Sequence, residues 1–175
     1  DLPGLTMVAC TDRGQPKDMK ERVRKLVKDY IQEENTIVLL VMAARSDLET
    51  DIAFDLVKEC DPNGERSIGI LTKIDLMNCE SSVADYLLNR TSKDLSLKYG
   101  YFAIKNRNAR QSKELTVAEG LQSEQDYFKN HSVYNQDIFQ KCVGVPNLTT
   151  FISNLLIDKI KLHIPLILKN LDIEF

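Results

Sequence analysis

Apolar residues recur along this chain in two rhythms. From Asp18 to Glu33, Met19, Val23, Leu26, Val27, Tyr30 and Ile31 return at helical spacing with charges between them, which predicts an amphipathic helix. Asn35-Thr36 interrupts that rhythm. The run Ile37-Val-Leu-Leu-Val-Met42 follows, β-branched and apolar throughout, as a strand buried on both faces would be. Leu48 to Cys60 goes back to the helical period and stops at the turn sequence Asp61-Pro62-Asn63-Gly64. Ser67 to Leu71 reads as a second short strand, Ser81 to Leu88 as a helix, and Asn89 to Ser96 as a polar connection. Tyr99 to Lys105 reads as a third strand. Ser112 to Lys129 reads as one helix with apolar positions at Leu115, Val117, Ala118 and Leu121. In the last segment, Asn147 to Phe175, the residues Leu148, Phe151, Ile152, Leu155, Leu156 and Ile160 fall on one stripe. Pro165, with no N–H to donate, should kink or break that helix.

Strand and helix in alternation predict an α/β fold: an open, mostly parallel sheet with flanking helices and right-handed crossovers. In such sheets ligands bind beyond the carboxyl ends of the strands. Three polar sets fall at such ends: Asp1-Leu2-Pro3-Gly4, Thr72-Lys73-Ile74-Asp75 and Asn106-Arg107-Asn108.

Composition narrows the class. The 175 residues carry 23 Lys+Arg against 26 Asp+Glu, a net charge of -3, which argues against a general polyanion binder. With 43% hydrophobic residues, 7 Gly, 5 Pro and 4 Cys, collagen-like, disordered and disulfide-scaffold classes are excluded. That length suits one domain or most of one. The longest apolar run ends at Ala44, far short of the roughly 20 residues that span a bilayer. Lys17, Lys20, Arg22, Arg24, Lys25 and Lys28 form a basic cluster that reads as a solvated helix face. Cys10, Cys60, Cys79 and Cys142 form no C-x-x-C pair, and His131 and His163 form no HExxH. Reduced thiols and no zinc site are therefore expected.

Each polar set has its own chemistry. The Asp1 carboxylate can hold Mg²⁺ through a water, and Gly4 can offer its N–H to a terminal phosphate with no Cβ in the way. Alone, D-x-x-G is equally a turn after a strand. Asp75 at a strand end can accept from both N1–H and the exocyclic amine of guanine, a donor pair adenine lacks. The Lys73 stem can lie across the flat base; alone, the set is equally a capped helix start. Asn106-Arg107-Asn108 can close over base and ribose, or be only a polar loop.

Order and spacing combine them. D-x-P-G, T-K-x-D and N-R occur in that order, each placed after a strand, as in guanine-nucleotide-binding P-loop proteins. With the stretches DLPGLT, KDYIQEENTIVLLV, AARSDLETD, KECDPNGERSIGILTKIDLM, GYFAIKNRNA and EQDYFKNHSVY, the chain resembles the dynamin superfamily of large GTPases over nearly all its length. The resemblance implies a P-loop NTPase-like fold, with residues 1–146 as the C-terminal part of a GTPase domain. Residues 147–175 would be a terminal helix leading to a helical bundle and stalk, its apolar stripe exposed or self-associating. It also implies GTP and Mg²⁺ as ligands. Asp1 would be the Mg²⁺-side aspartate and Gly4 the γ-phosphate donor. Thr72, Lys73, Asp75, Leu76 and Asn78 would surround the base, with Asn106, Arg107 and Asn108 at its edge. Asn78 stands where many members have an acidic residue. Two such domains meet face to face across their nucleotide sites, and Asp47 resembles the residue that reaches the partner's site. Its other role would be to cap the helix that starts at Leu48.

The resemblance further implies a cytoplasmic protein, peripheral on membranes through regions outside this chain, with itself as partner and no nucleic acid beyond GTP. A phosphate loop, G-x-x-x-x-G-K-[ST], occurs nowhere in the sequence. A preceding segment is therefore expected, and these residues alone should bind GTP weakly and not hydrolyse it. The alternatives are a non-catalytic truncated paralogue acting as an interaction module, or a GTPase of the antiviral myxovirus-resistance branch rather than the membrane-remodelling one.

Overall fold

The computed structural model describes residues 2–5, 9, 11–45, 48–77 and 82–173, with side chains through 165 except at 13. The amphipathic segment forms α1 (Met19–Ile31), followed by β1 (Val38–Ala43), α2 (Ile52–Cys60) and β2 (Ser67–Thr72). A single turn of helix, α3 (Ala84–Leu87), precedes β3 (Tyr101–Ala103), α4 (Gln111–Glu114), α5 (Val117–Asn130) and the long α6 (Val145–Ile173). The three strands make one parallel sheet in the order β1-β2-β3. This is an open α/β sheet with flanking helices, a partial P-loop NTPase-like arrangement, as the alternating pattern predicts.

Register sorts the side chains onto two faces. Leu40 pairs with Gly69 and Met42 with Leu71, so these positions share a face. On it they join Val27 and Ile31 of α1 and Leu56 and Val57 of α2 in the main core. Ile68 and Ile70 point the other way and, with Phe102 and Ile104, are covered by Leu148, Phe151, Ile152 and Leu155 of α6. β2 is therefore buried on both faces, which is why its sequence shows no alternation. Gly69 within it is required by a close approach: a Cβ there would lie 2.1 Å from the Tyr101 ring. Leu39 and Val41 share the α6-side face but stay 45% and 58% exposed, beyond the reach of that helix.

At the amino edge of the sheet the predicted turn forms, with Gly64 N–H donating to the Asp61 carbonyl at 2.9 Å. The Asp61 side chain does more than turn the chain. It is buried and accepts from Glu65 N–H, Arg66 N–H and the Ser67 hydroxyl at 2.7–2.9 Å. Burial alone would raise its pKa, but the Ser67 hydroxyl and these N–H groups outweigh it and hold it below the usual value. The Arg66 guanidinium donates in turn to the carbonyls of Glu33, Thr36 and Cys60, tying the ends of α1 and α2 to the start of β1.

Several elements differ from expectation. The segment 48–60 divides into a 3₁₀ turn, Leu48–Thr50, and α2, because the Asp51 carboxylate caps α2 by accepting from Ala53 and Phe54 N–H. The segment 112–129 divides at Leu115-Thr116, where Thr116 and Glu119 form a reciprocal capping box that starts α5. The helix expected over 81–88 shrinks to α3, and the strand expected over 99–105 pairs only at Tyr101–Ala103. Pro165 does not end α6, which runs through it to Ile173. The stripe on α6 is split by depth: Leu148 is buried, whereas Leu156 and Ile160 are 52% and 51% exposed. Cys60 and Cys142 are half-buried free thiols, and Cys10 and Cys79 lie outside the described residues.

Candidate functional site

β2 and β3 run parallel and side by side, so the residues that follow them emerge on the same edge of the sheet. At the exit of β2, the Thr72 hydroxyl donates to the Met42 carbonyl at 3.0 Å, and Ala44 N–H donates back to the Thr72 carbonyl at 2.8 Å. Thr72 thus stitches the ends of β1 and β2. Lys73 then takes left-handed backbone, φ 57° and ψ 34°, which costs a non-glycine residue roughly 1 kcal/mol. The chain turns at once into the 3₁₀ turn Ile74–Leu76. The Ile74 side chain is buried and anchors this turn, while Lys73, Asp75 and Leu76 face solvent. The Lys73 ammonium and the Asp75 carboxylate take part in none of the ion pairs of the described residues.

The exit of β3 is bound up internally. Lys105 N–H donates to the carboxylate of Glu124 at 2.8 Å, and the other oxygen of Glu124 accepts from Val145 N–H at 2.8 Å. Glu124, 1% exposed, therefore joins β3, α5 and the start of α6. The Arg107 stem lies against Gly120 of α5, where a Cβ would come within 2.6 Å of it, and its guanidinium donates to the Leu115 carbonyl. Asn108 accepts from Arg110 and Gln111 N–H through Oδ1, while its own N–H donates to Gln111 Oε1 at 3.1 Å. That is a cap for α4. Asn106 alone of the three is exposed without a side-chain hydrogen bond among the described residues. A cavity of about 320 Å³ opens here, lined by Lys105, Asn106, Arg107 and Glu124 among others.

Two residues that the sequence did not single out, Glu124 and Tyr127, brace this edge, and Tyr127 reaches both loops. Tyr127 of α5 donates from its hydroxyl to the Ile74 carbonyl at 3.3 Å, and the Lys105 ammonium lies over its ring at 5.8 Å. Both belong to the EQDYFKNHSVY stretch, the only signal that pointed to them.

Thr72, Lys73, Asp75 and Leu76 therefore follow one strand, and Asn106, Arg107 and Asn108 its parallel neighbour, on the same edge of the sheet. The structure does not join Gly4 to them. Gly4 lies along the outer edge of β1, where it lines a mostly apolar cavity of about 1230 Å³ with Leu2, Val27, Leu39 and Asp51. Asp1, Asp47 and Asn78 lie outside the described residues. Among the described residues no three His, Cys, Asp or Glu side chains gather as a metal site. No helix among them is long and apolar enough to cross a membrane.

Known proteins match this chain on both sides of the β2 exit. Residues 1–74 match the family model described as Dynamin family, and residues 83–174 match the one described as Dynamin central region. The two matches meet across the exit of β2, so adjacent strands of one sheet fall to different models. Dynamin-related protein dnm1 of Schizosaccharomyces pombe is 36% identical over 166 residues, 94% of this chain and 20% of that protein. Vacuolar protein sorting-associated protein 1 of the same yeast is 36% identical over 168 residues, 94% of this chain and 24% of that protein. Interferon-induced GTP-binding protein Mx1 of Rattus norvegicus is 35% identical over 177 residues, 99% of this chain and 26% of that protein. The chain thus spans between 20% and 26% of the length of these relatives. With family models matching on both sides of the β2 exit, the second over more than half of its residues, the chain belongs to the dynamin family of large GTPases.

Proposed function

We propose that this chain supplies the base-recognition part of a GTP-hydrolysing dynamin-type domain, in a protein that couples GTP turnover to self-association and membrane remodelling. One observation carries the reading. The T-K-x-D turn leaves the central strand with Lys73 held in left-handed backbone and Asp75 directed to solvent without a partner cation among the described residues. A strained lysine followed by a free carboxylate on the ligand-binding edge of an α/β sheet suits a flat base with two adjacent donors. The Asp75 carboxylate would accept from guanine N1–H and the exocyclic amine. The Lys73 methylenes would cover one face of the base, and the exposed Asn106 amide would close its edge.

The phosphate end rests on less of this chain. Gly4 would donate its N–H to the γ-phosphate, with Asp1 on the Mg²⁺ side; when bound, Mg²⁺ would supply charge neutralisation there. Residues 1–146 would belong to the GTPase domain, and 147–175 to the helix that leads toward a bundle and stalk. Asp47 would face a second copy across the dimer. The identities to the dynamin-related protein dnm1 and to the interferon-induced GTP-binding protein Mx1 are nearly equal, so they do not choose between these two kinds of relative.

The test is equilibrium binding of GDP and ADP to the intact protein, followed by GTP turnover. GDP should bind at least about 100-fold more tightly than ADP, because adenine leaves the Asp75 carboxylate unpaired. Equal affinities would overturn the reading.

A further inference from the structure

One α5 side chain touches both strand exits, and what it touches bears on the base. The Ile74 carbonyl that accepts from the Tyr127 hydroxyl belongs to the same planar peptide unit as the Asp75 N–H. A hydrogen bond to that oxygen therefore fixes the plane from which the Asp75 side chain projects. The Lys105 ammonium over the Tyr127 ring also donates to Ser123 Oγ at 3.4 Å, one helical turn earlier on α5. Lys105 directly precedes Asn106, so the same ring also steadies the loop that would meet the base edge. Burial raises the Tyr127 phenol above its ordinary value, with the Tyr134 and Asp75 charges adding to it. It therefore stays a protonated donor at neutral pH.

We propose that Tyr127 is a positioning residue for guanine selectivity, holding the Ile74–Asp75 peptide and the Lys105–Asn106 loop at one fixed separation. This rests on the reading of Asp75 as the guanine acceptor. Selectivity for the exocyclic amine depends on both carboxylate oxygens being aimed correctly, so a loosened peptide plane loses discrimination before it loses all affinity.

Tyr127→Phe is a mild change. The ring keeps its contacts with Phe128 and His131, at 5.3 and 5.4 Å between centroids, and its place under Lys105. The Ile74 carbonyl still accepts from Met77 N–H at 3.4 Å. The experiment compares GDP with inosine diphosphate, which lacks the exocyclic amine, by equilibrium binding to the intact protein. Wild type, Tyr127→Phe and Asp75→Ala are measured together, with thermal unfolding of each. Tyr127→Phe should reduce the GDP-over-IDP preference about fivefold and shift the melting temperature by no more than about 2 °C. A wild-type ratio in Tyr127→Phe, even with both affinities lowered equally, would overturn the positioning role while Asp75→Ala still abolishes the preference. If wild type shows no preference and Asp75→Ala changes neither affinity, the guanine reading itself has failed, and this proposal with it.

Discussion

The loops that leave β2 and β3 lie side by side on one sheet edge, yet they use their polar side chains in opposite ways. After β2, the Lys73 and Asp75 side chains are exposed, and the fold holds the turn through Thr72, the buried Ile74 and the Tyr127 hydroxyl. After β3, the polar groups other than the exposed Asn106 are engaged within the protein: Arg107 with Leu115 and Gly120, Asn108 as a cap for α4, and the Lys105 N–H with Glu124. A polar loop residue that already has its hydrogen bonds offers little to a ligand, whereas one held in place by its neighbours and left unpaired is ready to bind. The first loop reads as recognition surface and the second, Asn106 apart, as its support.

That contrast can be broken by separating binding from stability. The largest effect is expected from Asp75→Ala, which should weaken GDP binding about 100-fold while leaving the chemical-denaturation midpoint unchanged. Next, Glu124→Ala should behave in the opposite sense. It leaves the N–H groups of Lys105 and Val145 without their buried acceptor, so unfolding free energy should fall by about 3 kcal/mol.

The amino edge of the sheet sharpens the comparison, since Asp61 and Arg66 there are engaged within the protein. Asp61→Asn should cost about 2 kcal/mol at pH 7. In the wild type the Asp61 pKa is lowered in the folded state, so its contribution is fully present above the unfolded carboxylate value. It is lost as pH falls through the folded value, and Asp61→Asn should flatten the acid limb of a stability–pH curve. The smallest effect is expected from Asn108→Ala, about 1 kcal/mol of stability from the lost cap. Its GDP affinity should match wild type, as measured by titration calorimetry.

What the sequence revealed and what it hid follow from the same physics. Strand β2 and its exit were legible because an apolar run, a turn sequence and T-K-x-D are all local signals. The break at Thr116 was hidden because Leu115, Val117, Ala118 and Leu121 keep an apolar rhythm while the Thr116–Glu119 capping box restarts the helix. Arg107 and Asn108 were read for a ligand because nothing local shows that Gly120 leaves room for the arginine stem, or that α4 needs a cap. Glu124 and Tyr127 act on backbone atoms 19 and 53 positions away, distances over which no periodicity speaks. Asp61 was legible as a turn residue, but its burial under three donors depends on how Ser67 enters the sheet.

The central claim is that Asp75 reads a purine by its hydrogen-bond pattern, and Asp75→Asn tests it most directly. Asparagine keeps one acceptor for N1–H but turns its amide donor toward position 2, which suits the carbonyl of xanthine rather than the amine of guanine. In equilibrium binding to the intact protein, wild type should prefer GDP over xanthosine diphosphate, and Asp75→Asn should reverse that order. An unchanged preference for GDP in Asp75→Asn would contradict the account.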